Sequence, residues 1–208
     1  MSADLLHRYL DQCPLIAIVR GITPDEAEAI GDAIHAAGIR IIEVPLNSPC
    51  PIDSIRKLAA KFGDEVLVGG GTVLEATQVG AIQAAGGRLV VSPNADAAVI
   101  SATAAAGMVS IPGYVTPSEA LMAMRAGATA LKLFPAEGSS PAALKAQRAV
   151  LPPDVPILPV GGIKPDNMRT WLDGGANGFG LGGGLYQAGQ SADETATKAQ
   201  AYVAGLSS

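Results

Sequence analysis

Lys132 lies in the stretch "GATALKLFP", among Ala130, Leu131, Leu133 and Phe134. A lysine ammonium is strongly hydrated and is rarely buried without a partner. An apolar pocket favours its neutral form, because the charged form is poorly solvated there. A neutral amine attacks a carbonyl and forms a Schiff base. Once protonated, that imine is an electron sink, and a carbon–carbon bond beta to it can break or form. The chemistry needs proton transfers, for which Glu43 in "IIEVPLNSP" is the available acid/base. Thr72, after three glycines, can hydrogen-bond a substrate oxygen. The backbone N–H groups of Gly161-Gly162 and Gly182-Gly183 can hold a phosphate, because glycine lets it approach the chain closely.

The elements that must position these residues form a repeat. Ala-rich, helix-like segments end in glycine, at Gly38, Gly86, Gly107, Gly127 and Gly175, and apolar runs follow. One unit recurs at roughly 20 to 25 residues, the size of a helix-turn-strand step. Glycine accepts the left-handed conformation at a helix end. Continuous apolar runs suit a parallel sheet covered on both faces. Eight strands are expected, at about 14–20, 40–45, 66–70, 88–92, 108–112, 129–134, 157–160 and 177–181. Pro24, Glu75, Pro117 and Pro165 mark helix starts, with Thr23 and Thr116 as caps before proline. Eight such units predict an α/β fold, a single-domain (β/α)8 TIM barrel over residues 1–208, with an extra N-terminal helix at about 2–12. An open doubly wound sheet is the alternative.

In a barrel, function gathers at the C-terminal ends of the strands. Those ends carry Arg20, Glu43, Thr72, Pro93, Pro112-Gly113, Lys132, Gly161-Gly162 and Gly182 to Gly184. Each has a structural reading too. Lys132 could pair with Glu43 as a bridge, Arg20 could cap a strand, and Thr72 and the glycines could only close turns. Their collection on one rim, beside two glycine-rich loops, favours the functional reading.

Other signals exclude classes. The 208 residues are 49% hydrophobic, with net charge -5 and no Lys/Arg cluster, so neither nucleic acid nor an anionic membrane is an expected partner. Cys13 and Cys50 make neither a disulfide framework nor a zinc site. Residues 97–118 carry no charge, but Pro112 and Pro117 interrupt them, and a short helix followed by a buried strand is expected there. With no signal peptide evident, a soluble cytoplasmic protein is expected. "GFGLGG" contains G-x-G-x-x-G at Gly178, Gly180 and Gly183, yet too little chain follows for a dinucleotide fold. His7 and His35 fall on predicted helices without neighbouring ligands, so no metal and no cofactor is expected. Cys50, without a nearby histidine, is a weak nucleophile candidate.

Together, "IAIVRGITPDEA", "IIEVPLNSP", "GGGTVL", "SPNAD", "LKLFPAE" and "PVGGIKPDN" resemble the class I 2-keto-3-deoxy-6-phosphogluconate / 2-keto-3-deoxy-6-phosphogalactonate aldolases, from about residue 14 to 190. The resemblance implies a metal-free (β/α)8 homotrimer that cleaves a keto-deoxy acid phosphate to pyruvate and glyceraldehyde 3-phosphate. It implies Lys132 as the Schiff-base lysine and Glu43 as the proton shuttle. Thr72 would contact the pyruvoyl carboxylate, Pro93 and Phe134 would line the pocket, and Gly161, Gly162, Gly182 and Gly183 would bind phosphate. The phosphogluconate branch usually has "EVTLR" and "PTGG" where this chain has "EVPLN" and "PVGG". An arginine is thus replaced by Asn47, and a threonine hydroxyl by Val160. Both changes resemble the phosphogalactonate branch, whose substrate differs only at C4, and Arg20 would compensate for the lost arginine. The same chemistry on the gluconate epimer or on 4-hydroxy-2-oxoglutarate is the near alternative. A phosphate-binding or isomerase barrel without covalent catalysis is the distant one.

Overall fold

The structure, a computed structural model, describes residues 2–207. Met1 and Ser208 of the expected 1–208 domain lie outside them. In chain order the first half runs α1 Ser2–Leu10, β1 Leu15–Ile18, α2 Ala27–Ala36, β2 Ile41–Pro45, α3 Pro51–Phe62, β3 Leu67–Gly71, α4 Val79–Ala84 and β4 Leu89–Val91. The second half runs α5 Ala97–Ala105, β5 Val109–Ile111, β6 Gly113–Tyr114, α6 Pro117–Arg125, β7 Leu131–Leu133, α7 Pro141–Arg148, β8 Ile157–Pro159, α8 Met168–Asp173, β9 Phe179–Leu181 and α9 Ala192–Gly205. This is an α/β fold on a curled parallel sheet.

Six strands pair in the order β5-β4-β3-β2-β1-β9 and three in the order β6-β7-β8, all parallel. The expected fifth strand, 108–112, is β5, and a short additional strand, β6, follows it. Pro112 has no N–H to give to a ladder, and it separates β5 from β6. Backbone bonds still cross this break, with Thr129 N–H donating to Ser110 O at 2.8 Å and Lys132 N–H to Pro112 O at 2.9 Å. At the other margin a parallel bridge joins Val160 to Gly180.

Strand alternation sorts the side chains. Leu15, Ala17, Ile42, Val44, Val68, Val90, Leu131 and Leu133 pack outward against the helices. Ile16, Ile41, Leu67, Leu89, Val109 and Leu158 form a second cluster on the concave face, together with Leu6, Tyr9 and Leu10 of α1. Helix α1 therefore covers the N-terminal end of the strands. The Tyr9 hydroxyl fastens it by donating to Asp64 O at 2.9 Å, and Arg88 donates to the same hydroxyl at 3.2 Å. Burying each such aliphatic side chain contributes about 1.5–3 kcal/mol.

Helix starts follow the capping signals unevenly. Thr116 and Glu119 form a reciprocal capping box ahead of Pro117. Glu75 forms another, but before a 3-10 turn at Ala76–Gln78 that leads into α4. Thr23 does not cap α2. Its N–H and hydroxyl donate to the Glu26 carboxylate at 3.0 and 2.8 Å, and the helix begins at Ala27. Likewise Pro165 opens a turn, and α8 begins at Met168. The uncharged stretch 97–118 is helix α5, strands β5 and β6, and the start of α6. No helix among the described residues is long and apolar enough to cross a membrane. Thr116→Ala removes one cap, so it is expected to cost about 1 kcal/mol and to lower the melting temperature by roughly 2–4 °C, measured by thermal unfolding.

Candidate active site

A cavity of about 750 Å³ opens at the C-terminal ends of the strands. Arg20, Thr72, Pro93, Lys132, Phe134, Val160, Gly161, Gly162, Gly182 and Gly183 all line it. Glu43 does not reach the cavity wall. It lies deeper, 1% exposed, on the concave face of β2. The same alternation that turns Ile41 inward turns Glu43 inward, one step nearer the cavity. Lys132 is the inward residue of β7, 6% exposed and paired in register with Gly113 and Leu158.

Glu43 has room because Gly71 has no side chain. Its Oε2 lies 1.7 Å from the place a Cβ at Gly71 would take. That oxygen is buried without a hydrogen-bond partner, and among the described residues no ion pair joins Glu43 to Lys132. The structural-bridge reading of the pair therefore lacks its contact. Burial raises the Glu43 pKa to about 7, although the charges of Lys132 and Arg20 pull it down. Burial also lowers the Lys132 pKa, helped by Arg20 and opposed by Glu43. The ammonium nitrogen sits 4.7 Å from the centroid of the Phe134 ring, which gives the charged form one favourable contact. The pair combines an amine eased toward its nucleophilic form with a carboxyl that exchanges a proton near neutral pH.

Arg20 extends from the end of β1 and is held by two side chains. One guanidinium nitrogen donates to Asn47 Oδ1 and the other to Thr72 Oγ1, the latter at 3.2 Å. Asn47, read from the sequence as the replacement of the phosphogluconate branch's arginine, thus supports the arginine at the end of a neighbouring strand. Thr72 has φ 55, an uncommon conformation for a β-branched residue. Its hydroxyl accepts from Arg20 at the wall of the cavity that both residues line. Elsewhere on the cavity wall, the N–H groups of Gly162, Gly183 and Gly184 have no acceptor among the described residues. Three free donors beside one cavity suit an anion with several oxygens.

Several wall residues carry no signal at the rim of a strand. Gln187 lies in the loop after β9 and donates to Gly183 O at 3.2 Å. Glu137 lies five residues beyond Lys132. "LKLFPAE" holds both acid and lysine, so proximity in sequence was the available signal. His7 lies exposed on α1, and His35 lies on α2 beside Glu65 and Phe62. Cys50 is exposed ahead of α3, and Cys13 is buried. Beyond "GFGLGG" comes helix α9. No three His, Cys, Asp or Glu side chains converge as a metal-binding group among the described residues.

A curled parallel sheet with a buried lysine-carboxyl pair at its strand ends has known counterparts. The family model described as "KDPG and KHG aldolase" matches residues 6–199, and the chain belongs to that family. The 2-dehydro-3-deoxy-6-phosphogalactonate aldolase of Escherichia coli (strain K12) is 47% identical over 94% of this chain and 96% of its own. The KHG/KDPG aldolase of the same organism is 33% identical over 76% of this chain and 74% of its own. A solved structure described as native KDPGal superposes with TM-score 0.93 at 46% identity, covering 94% of this chain and 95% of that one.

The desolvated carboxyl makes a testable contribution to stability. Glu43 titrates at about 7 when folded, against an ordinary value of 4.5, so the folded chain holds an extra proton between those values. Its contribution therefore turns increasingly unfavourable as pH rises through that window. In urea unfolding, Glu43→Gln is expected to exceed the parent at pH 8 by on the order of 1–3 kcal/mol and to lose that advantage by pH 4. A variant less stable than the parent at pH 8 would mean the carboxylate is paired.

Proposed function

We propose that this chain is a Schiff-base aldolase that cleaves 2-dehydro-3-deoxy-6-phospho-D-galactonate to pyruvate and D-glyceraldehyde 3-phosphate. The observation that carries the reading is the Lys132 amine, desolvated at the wall of a cavity with Glu43 beneath it. The activity named for the relative at 47% identity supports it, as does Val160 at the position where the gluconate branch has threonine.

In this reading the Lys132 amine attacks the C2 ketone, and loss of water gives the protonated imine. The C3–C4 bond then breaks, its electron pair moves into the imine to form an enamine, and the C4 hydroxyl loses its proton as the aldehyde forms. Protonation at C3 and addition of water release pyruvate and restore the amine. Glu43 ferries the protons, because a carboxyl titrating at about 7 gives and takes them at neutral pH. Arg20 and Thr72 hold the carboxylate end of the substrate, and Asn47 keeps the guanidinium aimed. Pro93 and Phe134 shape the wall near the ketone. Gly161, Gly162, Gly182 and Gly183 form the phosphate end. Val160 presents methyl groups beside C4, so no hydroxyl there selects the gluconate epimer. The route uses no metal and no cofactor.

We further infer that the two sheets act as one closed (β/α)8 barrel over residues 1–208. The bonds across Pro112 and the Val160–Gly180 bridge support this. A cytoplasmic homotrimer accords with the family resemblance.

Borohydride reduction in the presence of pyruvate is expected to trap one adduct, which peptide mapping places on Lys132 and which Lys132→Ala abolishes. Absence of an adduct on the parent would remove the reading. Of the two C4 epimers the galactonate is expected to be cleaved faster, and equal rates would sink the branch assignment. Val160→Thr is expected to shift the epimer ratio toward the gluconate by about five-fold, the equivalent of one hydrogen bond.

A further inference from the structure

Glu137 is an acid of the cavity wall that none of the roles above employs. It lies in a 3-10 turn, Ala136–Gly138, just after β7, and faces the same cavity as Val160 and the glycine loops. Its side chain lies over the loop after β8. Oε2 is 2.0 Å from the place a Cβ at Gly161 would take, and Cγ is 2.8 Å from that place at Gly162. Those glycines have φ +108 and +64, so the loop is shaped for residues without side chains, and Glu137 fills the space they leave. Among the described residues the carboxylate has neither a hydrogen-bond nor an ion-pair partner.

An ionised carboxylate only accepts hydrogen bonds, and it repels anions. The proposed ligand is anionic at both ends. Arg20 and Thr72 take one end, and the N–H groups of the glycine loops take the other. Between them runs a neutral carbon chain that bears hydroxyls at C4 and C5, and hydroxyls donate. Val160 offers that stretch no polar atom. An unpaired acceptor beside Gly161, next to the phosphate end, matches the C5 hydroxyl, which lies one carbon from the phosphate-bearing C6.

We propose that Glu137 is a positioning residue that accepts a hydrogen bond from the C5 hydroxyl and so orients the aldehyde half of the substrate. The proposal rests on the aldolase reading of the cavity. It makes the enzyme selective for an aldehyde hydroxylated next to its carbonyl carbon. The pyruvate half, held at the other end, needs nothing from Glu137.

The test is condensation of pyruvate with two phosphorylated three-carbon aldehydes, glyceraldehyde 3-phosphate and its analogue without the 2-hydroxyl. Glu137→Ala is expected to lower kcat/KM for the hydroxylated aldehyde about ten-fold, and for the analogue less than about two-fold. Glu137→Gln keeps an accepting oxygen and is expected to recover part of the loss. Both variants are expected to exchange the methyl protons of pyruvate with solvent at the parental rate. Equal losses on the two aldehydes would reduce Glu137 to a packing residue and overturn the proposal. A gain on both would show the carboxylate merely repels phosphate, and would overturn it as well. If the parent itself neither exchanges nor traps pyruvate, the aldolase reading fails and the proposal fails with it.

Discussion

The structure depends on keeping two ionisable groups out of water without letting them neutralise each other. Lys132 and Glu43 stand on the concave face of the sheet, above a floor of Ile16, Ile41, Leu67, Leu89, Val109 and Leu158. Burial pushes the two pKa values toward each other, down for the amine and up for the acid. A tight ion pair would reverse both shifts. The absence of a direct contact between them, and the orphaned Glu43 Oε2, leave both shifts in place. Stability elsewhere must offset that cost, and the two apolar clusters and helix α1 are where the packing lies.

The arrangement follows from alternation along short strands. On β2, Ile42 and Val44 face the helices while Ile41 and Glu43 face inward. On β7, Leu131 and Leu133 face outward and Lys132 inward. A one-residue slip in either strand would exchange the chemical group for an aliphatic one. Helix α1 closes the far end, so the polar groups meet at a single opening.

Much of this was legible in the sequence. Apolar runs that follow helix-ending glycines located the strands, and the residues at the strand ends belonged to one rim. Lys132, Thr72 and the glycine pairs could be placed at that rim from their neighbours alone. What could not be read depends on contacts between distant segments. The break at Pro112 is visible as a proline, but not its effect on two sheets joined by carbonyl acceptors. Thr23 looks like a cap, yet the Glu26 carboxylate takes its hydrogen bonds and the helix starts later. Asn47 reads as a lost arginine until its bond to Arg20 is seen. Glu137 reads as one acid in a polar loop, because its packing on Gly161-Gly162 joins residues far apart in the chain.

The two glutamates share a packing device. Each lies where a neighbouring glycine leaves a side chain out, Glu43 over Gly71 and Glu137 over Gly161 and Gly162. In evolutionary terms the vacant volume and the acid are one character carried by two positions. A chain that acquired a side chain at 71 would have no place for a glutamate at 43, whatever its other residues. Drift at these glycines is therefore restrained from outside their own segments, by acids on other elements. Position 137 can change freely only while 161 and 162 stay bare. The glycines are thus the fixed member of each pair, and the acids are the members through which the chemistry of the cavity can be altered.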